Sequence, residues 1–291
     1  MKTIVIIHNL NSRGKNINED YVRELLNKKG IKFHYFQTKQ ISDVDEIIKK
    51  YNNPSEFQYC SIGGDGSLNA LVNSLMKNNI IMPEVSCLPG GSGSDFIRTF
   101  ALPQNIEQAV EHLDYDNFYE VDVGLIKNKT DAKYFINVLN IGFLASTVEV
   151  SEKFPNLFRA FRYPLSFWIK IITARAKEMT ISNDKYEFKG MAFNICVCNA
   201  QYFGGGWNIS PKSSLQDGLF NIQVFAVTKL KAMQIFFLAK KGLHLKESSV
   251  KLKRLSQLTV NSKDPIEIDG DFFGYGPAEI FIKKRAIRFK I

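Results

Sequence analysis

Two periods of apolar residues divide the chain. Up to about residue 120, short apolar runs have the character of buried strands: TIVIIH (3–8), IKFHYFQ (31–37), FQYCSI (57–62) and EVSCLP (84–89). Between them, YVRELLNKK (21–29), DVDEIIKK (43–50) and SLNALVNSLMK (67–77) carry helical spacing. Strict alternation of strand and helix predicts crossovers and a parallel sheet, with ligands bound at the carboxyl ends of its strands. Three loops rich in small polar residues fall at those ends: NLNSRGK (9–15), GGDGS (63–67) and GGSGSD (90–95).

From about Val121 the pattern changes. Segments such as FYEVDVGLIK, AKYFINVLNIGF, MAFNICVCNAQYF, LFNIQVFAV, VKLKRLSQLTVN and PIEIDGDFF are strand-like, many of them alternating, and NDK (183–185) suits a hairpin turn. One helical insertion, at about 145–178, interrupts them. The expectation is an α/β domain with a parallel, Rossmann-like sheet over 1–121, followed by an antiparallel β-sandwich over 122–291 with a helical insertion. No repeat or low-complexity linker separates the two.

Composition narrows the picture. No apolar run approaches the roughly 18–20 residues that span a bilayer. The amino-terminal apolar stretch is too short for a secretion signal and fits a first strand. Cys60, Cys87, Cys196 and Cys198 sit in strand-like runs without a zinc-type spacing, which suits reduced, buried thiols in a cytoplasmic protein. His8, His34, His112 and His244 form no common constellation. The formal charge of +9 suits a partner that carries phosphate, whether a nucleotide, a nucleic acid or an anionic lipid surface.

The glycine loops carry the chemistry. Gly63, Gly64 and Gly66 let backbone N–H groups converge on a phosphate, and the helix that follows adds its positive end. Asp65 would repel a bare anion. It fits if magnesium accompanies the phosphate, if the carboxylate takes a hydroxyl, or if it caps the helix in a tight turn. LPGGSGSDF (88–96) repeats the design one strand later, with Gly91, Ser92 and Ser94 in the loop and Asp95 opening a helix.

GGDGSLNALVNSL (63–75) followed by LPGGSGSDFIRTF (88–100) resembles the diacylglycerol kinase catalytic domain, with its GGDGT-x-x-E/N-V-x-N-G/A-L and L-P-x-GT-x-NDFAR patterns. NLNSRGK is similar to that family's first loop, with Leu10 in place of proline. FGGGWNISPKSSLQDGLFNI (203–222) and IDGD (268–271) match its later elements in order, so the resemblance covers essentially the whole chain. It points to the bacterial soluble lipid kinases of a superfamily shared with sphingosine kinases and, more distantly, NAD kinases.

The resemblance implies an ATP- and Mg2+-dependent lipid kinase acting on diacylglycerol or a related lipid with a free hydroxyl, its active site in the interdomain cleft. It implies nucleotide contacts from Asn9, Thr38, Gly63, Gly64, Asp65, Gly66, Ser67, Asn69, Gly91 and Ser92. Asp65 would belong to the magnesium network, with Asp95 assisting. Asp217 would hold a structural magnesium with the carbonyls of Ser214 and Leu219. Asp271, where most of the family has glutamate, would be the general base; Asp269 is the competing carboxylate and suits a turn better. Ser67 and Ser92 replace threonines, and Ser94 an asparagine.

FPNLFRAFRYPLSFWIKIITARAK (154–177) interleaves aromatic and basic residues. That suits a membrane interface or an acyl-chain entrance, and equally an amphipathic helix packed on the sandwich. No nucleic-acid recognition motif accompanies it. The protein is therefore expected in the cytoplasm, in transient contact with the inner membrane face, and a homodimer is left open. Two other readings stand beside the lipid kinase: a kinase of NAD or another soluble alcohol, and a nucleotide- or lipid-binding protein without turnover.

Overall fold

The computed structural model of the 291-residue chain describes residues 2–12, 17–91, 94–155 and 161–291. They form two compact units, Met1–Val123 with Lys283–Ile291, and Gly124–Ile282.

The first unit alternates strand and helix in the expected order: β1 (Thr3–Asn9), α1 (Glu19–Lys28), β2 (Phe33–Thr38), α2 (Ile41–Lys50), β3 (Phe57–Gly63), α3 (Asp65–Lys77), β4 (Glu84–Pro89), α4 (Asp95–Thr99) and α5 (Ile106–His112). The strands lie in the order β2–β1–β3–β4, all parallel. Ile4, Ile6, Cys60 and Ile62 bury one face of the sheet against Val22 and Leu26 of α1 and Val110 of α5. At the N-terminus of α1, the Asn18 side chain accepts from the backbone N–H groups of Asp20 and Tyr21 and closes that end. The pattern of apolar runs did not anticipate α5, which is only seven residues long.

The second unit is antiparallel, and the chain enters and leaves it within β5 (Phe118–Lys127) and β16 (Ala278–Lys290). Between these lie β6 (Ala132–Phe135), β7 (Val138–Gly142), α6 (Phe143–Glu152), α7 (Arg162–Thr173), β8 (Lys177–Asn183), β9 (Tyr186–Ala192), β10 (Asn194–Cys198), β11 (Phe220–Phe225), α8 (Lys229–Ala239), β12 (Val250–Leu255), β13 (Gln257–Val260), β14 (Pro265–Ile268) and β15 (Asp271–Tyr275). One sheet runs β12–β11–β10–β7–β14–β15; the other includes the β16–β13–β8–β9 ladder. The hairpin at 183–185 joins β8 to β9.

Alternation along the strands sets both faces of the first of these sheets. Leu139, Ile141, Ile195, Val197, Ile266 and Ile268 enter the sandwich core. The residues between them face the other way, where Ile171 of α7 and Ile235 and Ala239 of α8 cover Val138, Cys196 and Cys198.

Two expectations need correction. The boundary does not simply separate 1–121 from 122–291: Arg288 and Phe289 of β16 pair in parallel with Glu84 and Val85, so 283–291 extend the first sheet. The second half also has more than one helical segment. α8 follows β11, and its sequence KLKAMQIFFLA is apolar on nearly all sides, so its period does not distinguish a buried helix from a strand.

Candidate functional site

At the carboxyl edge of the parallel sheet, hydrogen bonds lock the three loops together. Asn9 ends β1; its Nδ2 donates to Ser67 Oγ at 3.0 Å, and its Oδ1 accepts from Asn11 N at 2.9 Å. Gly90 N donates to Gly63 O at 2.9 Å, and Ser12 Oγ donates to Gly90 O at 3.0 Å. Gly63 must lack a side chain: a Cβ there would lie 2.2 Å from Ser67 Oγ, and its φ is +155°.

The Asp65 carboxylate accepts from Asp95 N and Phe96 N, each at 2.9 Å. It therefore receives the first amides of α4 and ties the GGDGS loop to the next one. This is a helix-capping contact, although it caps the neighbouring helix and not its own. Asp95 is buried, with Arg98 Nε 3.8 Å from its carboxylate.

Beside these loops is a cavity of about 120 Å³ lined by Asn9, Asn11, Thr38, Lys39, Ser67 and Ala70, among others. Thr38 is buried there and donates to His8 O at 3.4 Å. Asn69 points into the protein, where it accepts from Asn73 Nδ2 at 2.9 Å. Gly64, Gly66 and Gly91 lie in or beside the linked loops, and Ser92 lies outside the described residues.

The second unit holds the remaining expected residues. Asp269 (φ +50°) accepts from three consecutive amides, Ile136 N, Asn137 N and Val138 N, at 2.7, 2.9 and 3.0 Å. These contacts fall at the break between β6 and β7, so Asp269 is the turn residue the sequence suggests. Asp271, two positions later, is exposed and pairs with Lys133 Nζ at 3.3 Å.

The resemblance implied a structural magnesium at Asp217, Ser214 and Leu219, and the residues present do not fit one. Asp217 Oδ1 accepts from Leu219 N at 2.9 Å, while Oδ2 pairs with the Arg254 guanidinium. A dication bound to this carboxylate would have to displace the Arg254 guanidinium. No group of three or more His, Cys, Asp or Glu side chains suited to a metal occurs among the described residues.

A buried polar ladder crosses the helix-covered face of the sandwich, and the sequence motifs did not reveal it. Glu267, Asn140, Cys196 and Gln223 are cross-strand neighbours on β14, β7, β10 and β11. Asn140 Nδ2 donates to Glu267 Oε1, Cys196 Sγ donates to Asn140 Oδ1 at 2.8 Å, and His244 Nε2 bonds Gln223 Oε1 at 2.9 Å. Gly270 N donates to Glu267 Oε2 at 2.9 Å, so the carboxyl also holds the turn that leads to Asp271. Burial pushes the Glu267 carboxyl up to about 8, despite the hydrogen bonds from Asn140 and Gly270, with the nearby Asp269 and Asp271 charges adding to the rise. Its signal in the sequence is a lone charge between the isoleucines of PIEI.

Next to the ladder, α7 and α8 enclose an apolar cavity of about 60 Å³, walled by Phe143, Phe167, Phe193, Trp207, Phe225 and Phe236, with Asn194 and Cys196 as its polar part. The same helices expose Trp168, Ile172, Leu230 and Phe237, and Phe161, just before α7, is itself exposed. The insertion therefore both packs inward, through Phe167 and Ile171, and presents apolar residues to solvent. Residues 156–160 of it lie outside the described residues. No helix among the described residues is long and apolar enough to cross a membrane.

Comparison with known proteins agrees with this architecture. Residues 3–126 match the model of the diacylglycerol kinase catalytic domain, and residues 137–290 match the YegS C-terminal NAD kinase beta sandwich-like domain. The chain is 28% identical to a diacylglycerol kinase of Staphylococcus haemolyticus over 77% of its own length and 68% of the relative's. It is 26% identical to a diacylglycerol kinase of Staphylococcus carnosus over 97% and 92%. A crystal structure of a diacylglycerol kinase from Bacillus anthracis superposes with a TM-score of 0.74 at 18% identity, covering 99% of this chain and 96% of that one, which shows a common fold. Both halves of the chain thus match the two domains of one kinase architecture. The chain belongs to the diacylglycerol kinase family of YegS-type lipid kinases.

Proposed function

We propose that the protein transfers the γ-phosphoryl group of MgATP to the free hydroxyl of diacylglycerol or a closely related lipid. The observation that carries this reading is the locked set of glycine loops at the carboxyl edge of the parallel sheet. Asn9–Ser67, Ser12–Gly90 and Asp65–α4 fix the backbone around them before any ligand arrives. Phosphoryl transfer needs little covalent chemistry from the protein, so prearranged N–H groups and a charge-neutralised phosphate carry most of it.

In this reading the phosphates of MgATP lie against Gly63, Gly64, Gly66, Ser67 and the loop of Gly91 and Ser92. Asn9 and Thr38 line the adjoining cavity, and Asn69 supports α3 from within. Magnesium arrives with the nucleotide as part of the substrate. Asp65 acts by holding the two loops in register, with Asp95 beside it, and reaches the ion only through water. Asp271 accepts the hydroxyl proton as the phosphoryl group leaves ATP. The apolar lining of the second unit's cavity suits the end of an acyl chain, although its volume of about 60 Å³ admits only a few carbons. The exposed rim of α7 and α8, with Arg162, Lys170 and Arg175 on or just after α7 and Lys229 and Lys231 on α8, suits brief contact with an anionic membrane face.

The test is transfer from labelled ATP to a panel of lipids in mixed micelles, with NAD as a soluble acceptor and Asp271→Ala alongside. Lipid phosphorylation that falls at least about a hundredfold in Asp271→Ala supports the assignment, in line with the usual contribution of a general base. Transfer to NAD alone replaces the lipid with a soluble alcohol. Binding of ATP without any transfer makes the protein a nucleotide-binding relative. Undiminished transfer in Asp271→Ala removes that residue as base.

A further inference from the structure

We propose that Arg254 takes the place of a metal ion at the Asp217 turn, so that an internal guanidinium, and not a divalent cation, closes the segment 214–219. The turn has the outline of a cation site. Asp217 presents a carboxylate, Leu219 N folds back onto Oδ1 at 2.9 Å, and Gly218 takes φ +68° to make the reversal. A hard cation would use Oδ2 together with carbonyls of such a turn. In this chain Oδ2 belongs to Arg254.

The guanidinium is delivered by the sheet. Arg254 lies on β12 directly opposite Asn221 of β11, and β11 begins at Phe220, immediately after the turn. Directly opposed residues in an antiparallel pair point to the same face. The Arg254 side chain therefore starts beside the strand that the turn feeds, and its planar fork reaches back to the carboxylate. Asn221 itself donates to Ser213 Oγ at 3.1 Å, which anchors the other end of the same loop.

Charge decides between the two occupants. Arginine stays protonated at every accessible pH, so it cannot yield by losing its proton. A dication on Oδ2 would face that charge at close range with one carboxylate to balance both. An ion leaves the turn when its concentration falls, whereas a side chain rooted in β12 stays at high local concentration beside it. The turn is thus expected to stay closed in chelator, independent of which acceptor the enzyme phosphorylates.

The experiment uses the full chain without nucleotide and Mn2+ alone as the probe, counting bound ion from the loss of the free Mn2+ paramagnetic signal. The protein and its Asp217→Asn variant should bind the same number of ions. Arg254→Gln should gain one Mn2+ per chain, and Arg254→Gln/Asp217→Asn should lose it again. A site in the unsubstituted protein that disappears in Asp217→Asn would overturn the proposal, and this comparison needs no substitution of Arg254. Failure of folded Arg254→Gln to gain an Asp217-dependent ion would overturn it as well, because something other than the guanidinium would then keep the ion out.

Discussion

Glu267 offers the sharpest test of the buried ladder. Its carboxyl is 4% exposed and is held by Asn140 and Gly270 N. Burial moves its protonation from the ordinary 4.5 up to about 8. The folded protein therefore keeps the proton at pH values where the unfolded chain has released it. Stability from this group is complete below about 4.5 and is lost as pH rises through about 8. Each pH unit inside that window is worth about 1.4 kcal/mol, so between about pH 5.5 and about pH 7.5 the group should cost the fold roughly 3 kcal/mol. His244 works in the opposite sense. Burial lowers it from 6.5 to about 4, so its stabilisation is present above 6.5 and is lost as pH falls through 4. Comparing the protein with Glu267→Gln cancels the histidine. Both tryptophans, Trp168 and Trp207, lie in the second unit, so urea unfolding followed by their fluorescence reports on that unit. The stability difference between wild type and Glu267→Gln should tilt against wild type by about 1.4 kcal/mol per pH unit across the window. Parallel pH profiles would refute the reasoning and mean that Glu267 is ionised in the folded protein.

Asp65→Ala removes the acceptor of two charge-assisted bonds to α4 and should cost about 2–4 kcal/mol, read as a fall in affinity for a fluorescent ATP analogue together with a lower Tm; unchanged affinity would separate the tie from the nucleotide site. Asp269→Ala strands three amides at the β6–β7 break and should destabilise by about 3 kcal/mol in urea unfolding, where a loss below about 1 kcal/mol would show that water replaces the carboxylate. Gly63→Ala forces a Cβ against Ser67 and should weaken ATP-analogue binding at least about tenfold; unchanged affinity would show that the Ser67 side chain gives way without disturbing the loop.

Local repetition made the first unit legible. Each apolar run there is followed by a helix of helical period, and the glycines interrupt the alternation where backbone must approach backbone, as Gly63 does Gly90. The loop residues Asn9, Thr38 and Ser67 were legible as a set because the first two end parallel strands and the third lies in the first turn of the helix after another, which brings them to one edge. What stayed hidden depends on contacts distant in sequence. The return of Arg288 and Phe289 to β4 spans some two hundred positions and leaves no local period. Asp65 carried three readings because its partners, Asp95 N and Phe96 N, lie thirty residues away on another loop. Asp217 matched a metal motif along the chain, but the motif does not include Arg254, which reaches it across a strand pair. Glu267 shows the same limit from the other side. Alternation puts it opposite two core isoleucines, which from sequence means solvent; only the helices packed on that face, α6 over β14 with α7 and α8 over the neighbouring strands, turn the solvent side into an interior and its carboxylate into a proton holder. A one-dimensional pattern fixes which residues share a face, and the partner that later covers the face fixes their chemistry.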